Sequence, residues 1–151
     1  MKVREIMEID VVVAALATPV HEIARLMLKR GISGVPVVDE ARQVLGLVTE
    51  SDLIVRNTRL EPPAFFQILD GRIPLESPAH YRKRLQHMLG TEARDVMTED
   101  VVTVAPDAEL EALVELMAKH RVSPIPVVEA GRLVGIVSRA DVVRMMAREL
   151  G

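Results

Sequence analysis

Two short β-branched runs, Val11-Val12-Val13-Ala14 and Val101-Val102-Thr103-Val104, predict strands, since branched side chains suit a pleated, half-buried backbone. After the first run, Thr18-Pro19 offers an N-cap and a first helical residue. Val20, Ile23, Ala24, Met27 and Leu28 then recur at helical spacing until Gly31. After the second run, the acidic turn Asp107 to Glu111 opens a matching stripe of Leu110, Leu113, Val114 and Met117. Two near-continuous apolar strands follow in each case. They are Val35 to Val38 and Val44 to Val48 around the polar turn Asp39 to Gln43, and Ile125 to Val128 and Leu133 to Val137 around Gly131. A last helix closes each series, with Val142, Val143 and Met146 on one face of the second.

The correspondence is an internal repeat. Shifting the chain by 90 positions gives 12 identities over residues 7 to 38, among them Met7 on Met97, Asp10 on Asp100 and Pro36 on Pro126. A one-residue deletion then places Gly46, Val48 and Asp52 on Gly135, Val137 and Asp141. The expected organisation is a repeat over residues 1–57, an unrepeated insert over 58–90 and a second repeat over 91–151. A unit of about 60 residues with one three-stranded sheet is marginal alone. The expected fold class is therefore α/β (α+β): two pseudo-twofold-related β-α-β-β-α units packed as one module.

Candidate chemistry lies after the third strand of each unit. Gly46-Leu47-Val48-Thr49-Glu50-Ser51-Asp52 matches Gly135-Ile136-Val137-Ser138-Arg139-Ala140-Asp141, placing a hydroxyl residue and an aspartate at a helix start. A helix N-terminus offers unpaired N–H groups to a phosphate, and an ionised aspartate accepts the vicinal hydroxyls of a ribose. The same Thr/Ser-x-x-Asp spacing is that of an ordinary capping box, so these residues alone leave both roles open.

The ordered blocks Val3-Arg4-Glu5-Ile6-Met7, Gly31 to Val38 and Gly46 to Leu53, and their counterparts Ala93 to Thr98, Arg121 to Val128 and Gly135 to Val142, resemble the CBS domain, named from cystathionine β-synthase. A tandem pair is a Bateman module. The resemblance implies a cleft that holds an adenosine-containing ligand such as AMP, ADP, ATP or S-adenosylmethionine. It implies a regulatory role and no catalytic cofactor. By the same resemblance Asp52 and Asp141 match the ribose-binding aspartates, with Thr49 and Ser138 near ribose or phosphate. Ile32-Ser33-Gly34 and Val122-Ser123-Pro124 match the turn whose backbone lines the base, and Thr103 is a further contact. Modules of this kind pair through their helices, so a homodimer is expected. With no catalytic, channel or kinase domain within the 151 residues, the output is expected to pass to a separate regulated protein.

The two half-sites differ in charge. Glu50 follows Thr49, whereas Arg139 follows Ser138, so the second half-site is expected to hold a phosphorylated ligand and the first to be weaker, empty, or filled by a less charged adenosine compound. Arg121 and His120 stand beside the base-lining turn, either within reach of a phosphate or as cations favoured at a helix C-terminus. Within the insert, Phe65 to Leu69 forms an apolar patch, and Ser77-Pro78 predicts the start of a helix to about Leu89 carrying Arg82, Lys83 and Arg84.

Composition narrows the function. A net charge of −3 lacks the basic excess of a nucleic-acid binder, and the absence of cysteine removes disulfides, thiolate zinc sites and cysteine nucleophiles. The charged opening is unlike a signal peptide, the longest apolar run, Val11 to Ala17, is too short to span a membrane, and a cytoplasmic location is expected. The histidines at 21, 80, 87 and 120 have no ligand spacing, no hydrolase or nucleotide-hydrolysing motif occurs, and the chain is expected not to be an enzyme. The rival to a ligand sensor is an interaction or dimerisation module with an empty cleft. All three aromatic residues, Phe65, Phe66 and Tyr81, lie in the insert, so unless the insert folds over the cleft an adenine there would rest on aliphatic side chains and backbone.

Overall fold

A computed structural model describes residues 1–59, 65–68, 71–74 and 91–151. The first lobe contains helix α1 (Val20–Arg30), strands β1 (Gly34–Val38) and β2 (Val44–Thr49) and helix α2 (Glu50–Arg59). The second contains helix α4 (Leu110–His120), strands β5 (Ile125–Glu129) and β6 (Arg132–Val137) and helix α5 (Arg139–Leu150). Short β3 (Phe65–Ile68) and β4 (Gly71–Pro74) pair as an antiparallel hairpin between the lobes in sequence. The apolar Phe65 patch is thus a hairpin strand; the expected helix around residues 77–89 lies outside the described residues.

In each lobe the two strands pair antiparallel, Val35 against Val48 and Ile125 against Val137, with a bulge at Val37/Val38 and at Val127/Val128. The expected first strands shrink to single parallel bridges, Ala14 to Val37 and Val104 to Val127. Ala14 donates its N–H to Pro36 O and accepts from Val38 N, and the bulge beside Val37 interrupts any longer ladder.

A proline inside a buried strand normally forfeits a ladder bond. Here Pro36 faces Leu47, and Leu47 spends its N–H and C=O on the other side, on Thr98, at 2.9 Å each. Pro126 faces Ile136, which pairs in the same manner with Glu8. These bridges reveal an exchange. The segment leading into each repeat docks on the opposite lobe.

Val3, in a 3-10 turn over Val3–Glu5, is fully buried in the second lobe's core with Leu113, Ile125, Val127 and Val137. Its N–H donates to Ala108 O, and Arg4 N–H to Pro106 O. Reciprocally, Ala93 of helix α3 (Ala93–Val96) is buried in the first lobe's core with Ile23, Val35 and Val48. Its N–H donates to Thr18 O, and Val20 N–H to Thr91 O. Glycines permit the close approach: a Cβ on Gly135 would lie 2.7 Å from Met7 Sδ, and one on Gly46 would strike Met97 Sδ. At the pseudo-twofold junction, a Cβ on Gly34 would lie 2.7 Å from the Pro124 ring. Lys2 and Glu109 add an exposed ion pair of 2.6 Å across the exchange, which raises the lysine pKa and lowers the carboxyl pKa chiefly through their mutual hydrogen bond.

Several local expectations change. Thr18 does not cap α1; Pro19 is the N-cap, and Thr18 Oγ1 accepts the Ala15 N–H in the preceding turn. Gly31 does end α1, in the left-handed conformation. Leu28 is 86% exposed, because the sheet covers only the Val20–Ile23–Met27 side of α1. In α4, Val114 turns outward while Leu110, Leu116 and Met117 pack around Leu113. In α5 only Val142 enters the core, and Val143 and Met146 are exposed, since the helix meets its lobe along one narrow side.

Candidate functional site

A cavity of about 710 Å³ opens at the junction, within the size range of small-molecule sites. One wall is the turn Gly31 to Gly34 of the first lobe, and the facing wall is the start of α5 with Ser138, Arg139, Ala140 and Asp141. Ser123 and Pro124 close the junction, Val11, Val12, Met27, Leu28 and Ile136 supply apolar surface, and Arg30, Arg144, Glu8, Asp10 and Glu50 bring charge. No aromatic side chain lines it among the described residues.

Local sequence builds the α5 wall. Ser138 is the N-cap in extended conformation; its Oγ accepts the Asp141 N–H at 3.3 Å, and Asp141 Oδ2 accepts the Ser138 N–H at 2.8 Å. The capping box is therefore real, and it also holds the aspartate in one rotamer at the cavity wall. Ser123 Oγ accepts the Arg139 N–H at 3.0 Å. Of the first three helical N–H groups, that of Ala140 alone has no hydrogen-bond partner among the described residues. Among the described residues, Asp141 Oδ1 is held only by the exposed Arg144, at 2.9 Å. An anion approaching Ala140 would meet a free N–H, a helix dipole and the Arg139 guanidinium together.

The pseudo-equivalent half of the module is built differently. Asp52 Oδ2 accepts the Thr49 N–H at 2.8 Å, reproducing the cap, but Asp52 Oδ1 accepts the Thr98 hydroxyl at 2.8 Å. Thr98 is pinned by its two backbone bonds to Leu47. The residue at the corresponding place beside Asp141 is Glu8, whose carboxylate turns to the Asp10 N–H instead.

Of the residues singled out in the sequence, Ile32, Ser33, Gly34, Ser123, Pro124, Ser138, Arg139 and Asp141 come together around this cavity. Thr49 and Asp52 lie outside its lining, as do Thr103, Arg121 and Val122. Arg121 is the left-handed C-cap of α4, and Val122 packs on the second core. The sequence reading passed over Arg30, Arg144, Glu8 and Asp10. Arg30 had a signal: it is the repeat mate of His120, immediately before the turn Gly31 to Gly34. Glu50 and Arg139, expected to serve separate half-sites, line one cavity.

The CBS domain family model matches residues 3–56 and 93–148. The chain belongs to the CBS domain family. Protein MJ1426 of Methanocaldococcus jannaschii is 29% identical over 156 residues, spanning 97% of this chain and 91% of its own length. Among solved structures, CBSX2 of Arabidopsis thaliana in complex with AMP superposes with a TM-score of 0.74 at 23% identity, covering 99% of this chain and 98% of that one. The CBS domain pair of protein MJ0100, in complex with 5′-methylthioadenosine and S-adenosyl-L-methionine, gives 0.73 at 22% identity, covering 97% and 99%. At such identities the likeness is one of fold: a CBS pair of two pseudo-twofold-related units. Among the described residues, no helix is long and apolar enough to cross a membrane.

Proposed function

We propose that this CBS pair is a non-catalytic sensor that binds an adenosine-containing ligand, AMP, ADP, ATP or S-adenosylmethionine, in the cleft at the Ser138–Asp141 half-site. The observation that carries this reading is the pairing of a free Ala140 N–H and Arg139 with a rigidly capped aspartate around one 710 Å³ cavity. Asp141 Oδ1 takes a ribose hydroxyl on its second lone pair, keeping its contact with Arg144. Ala140 N–H, Arg139 and Arg30 face the phosphate, and the adenine rests between Ile32, Val12 and the backbone of Ser33 and Gly34. The Thr49–Asp52 half-site stays weak, because Thr98 already occupies the outward oxygen of Asp52.

The adenosine compounds bound by CBSX2 and MJ0100 support the ligand class. The module pairs with a second copy through α2 and α5, where Ile54 and Val143 are 59% and 63% exposed, and it signals in the cytoplasm to a separate protein. A thermal-shift screen with the four ligands and adenosine tests the reading, since a ligand confined to the native state raises the melting temperature. Stabilisation lost in Asp141→Asn and Arg139→Ala but kept in Asp52→Asn is the expected result. Absence of any shift at saturating ligand would favour a pure interaction module instead.

A further inference from the structure

We propose that the cleft selects its nucleoside by charge, taking the monophosphate and rejecting the triphosphate, with Glu50, Glu8 and Asp10 as the excluding groups; this rests on the adenosine reading above. The cavity lining carries four carboxylates against three guanidinium groups. One of each, Asp141 and Arg144, neutralise one another at 2.9 Å. Arg30 and Arg139 remain, and neither is ion-paired among the described residues. Glu50, Glu8 and Asp10 share the lining with them, likewise without an ion pair among the described residues.

Two guanidinium groups match the charge of one phosphate, which carries close to two negative charges at neutral pH. Each further phosphate finds no unspent cation among the described lining residues, which leaves it the carboxylates. Glu50 is placed to exert this most directly. It is the repeat mate of Arg139, it starts α2 as Arg139 starts α5, and its backbone N–H is tied to Ser33 O at 3.1 Å, in the base-lining turn itself. The cleft thus presents a cation and an anion at symmetry-related points of one cavity. A chain of phosphates held at Arg139 shares its cavity with Glu50.

Isothermal titration of the full chain with AMP, ADP and ATP at fixed ionic strength and without divalent cations tests this. Affinity is expected to fall in that order, by roughly tenfold or more between AMP and ATP, the scale of an unpaired charge near a partly solvated like charge. Glu50→Gln is expected to narrow the AMP-to-ATP ratio by roughly threefold or more, with Glu8→Gln and Asp10→Asn acting in the same sense. ATP binding as tightly as AMP in the parent chain, or a ratio unmoved by all three substitutions, would overturn the charge selection while leaving the adenosine site intact. No binding by any of the three nucleotides, by adenosine or by S-adenosylmethionine would instead overturn the adenosine reading, and the charge selection with it.

Discussion

Val3→Ala is the perturbation that most directly tests the exchange of leader segments. Val3 lies far in sequence from the lobe it enters, and a substitution there would cost under about 0.5 kcal/mol if the position were exposed. In the structure its side chain is fully buried among Val104, Leu113, Ile125, Val127 and Val137 of the opposite lobe. Removing two methyl groups forfeits about 1.6 kcal/mol of transfer free energy at ~0.8 kcal/mol per carbon. A residual void of roughly 50 Å³ adds about 1 kcal/mol if the surroundings do not collapse. The expected loss is 2–3 kcal/mol on this order-of-magnitude reckoning, which corresponds to about 5–10 °C in melting temperature for a chain of this size. Calorimetry measures the total, and amide hydrogen exchange locates it. Protection should fall at Ile125, Val127 and Val137 at least as far as at Val35 and Val48. A loss below about 0.5 kcal/mol, or one concentrated at Val35 and Val48, would refute the exchanged packing.

Gly34→Ala introduces a Cβ at 2.7 Å from the Pro124 ring, which has little freedom to yield, so the lobes must part slightly at a cost of about 1–3 kcal/mol; an unchanged denaturation midpoint would contradict this contact. Ser138→Ala removes the cap of α5 and should lower stability by about 1 kcal/mol in urea unfolding, with Thr49→Ala showing a comparable loss in the first lobe. Glu109→Gln addresses pH dependence. The lowered Glu109 pKa means that its contribution holds above the ordinary carboxylate range and fades as pH falls through the lowered value. The raised Lys2 pKa means that the lysine's share persists until pH rises through its own raised value. Parent and variant should therefore differ slightly in melting temperature at neutral pH and converge in strong acid, both groups being solvent-exposed; a difference that grows in acid would reverse the assignment.

Much of the candidate site was legible because its chemistry is local. Ser138 and Asp141 lie three residues apart at a strand-to-helix junction, and a capping box forms from neighbours in sequence whatever the rest of the chain does. The turn Ile32 to Gly34 was legible through the resemblance to the CBS domain, whose motif blocks are contiguous in sequence. Arg30, Glu8 and Asp10 were not, since their place in the cavity depends on which lobe faces which. Nor could spacing distinguish Asp52 from Asp141: the difference is made by Thr98, 46 residues away from Asp52, reaching across the exchanged bridge.

The repeat, the α-β-β-α order within each unit, the aliphatic core and the absence of aromatic residues from both units follow from the amino-acid order alone. Periodicity and cap residues act over a few positions, so a single chain carries them openly. Which copy each leader segment joins is a different kind of fact. Val3 and Ala93 occupy equivalent places in two similar units, and each would suit either core by hydrophobicity. Only three-dimensional packing resolves the choice, through the Leu47–Thr98 and Ile136–Glu8 bridges and the glycines that let Met97 and Met7 approach. The same exchange presents Thr98 to Asp52 and brings Glu8 to the Asp141 cleft, and so makes two nearly identical half-sites unequal.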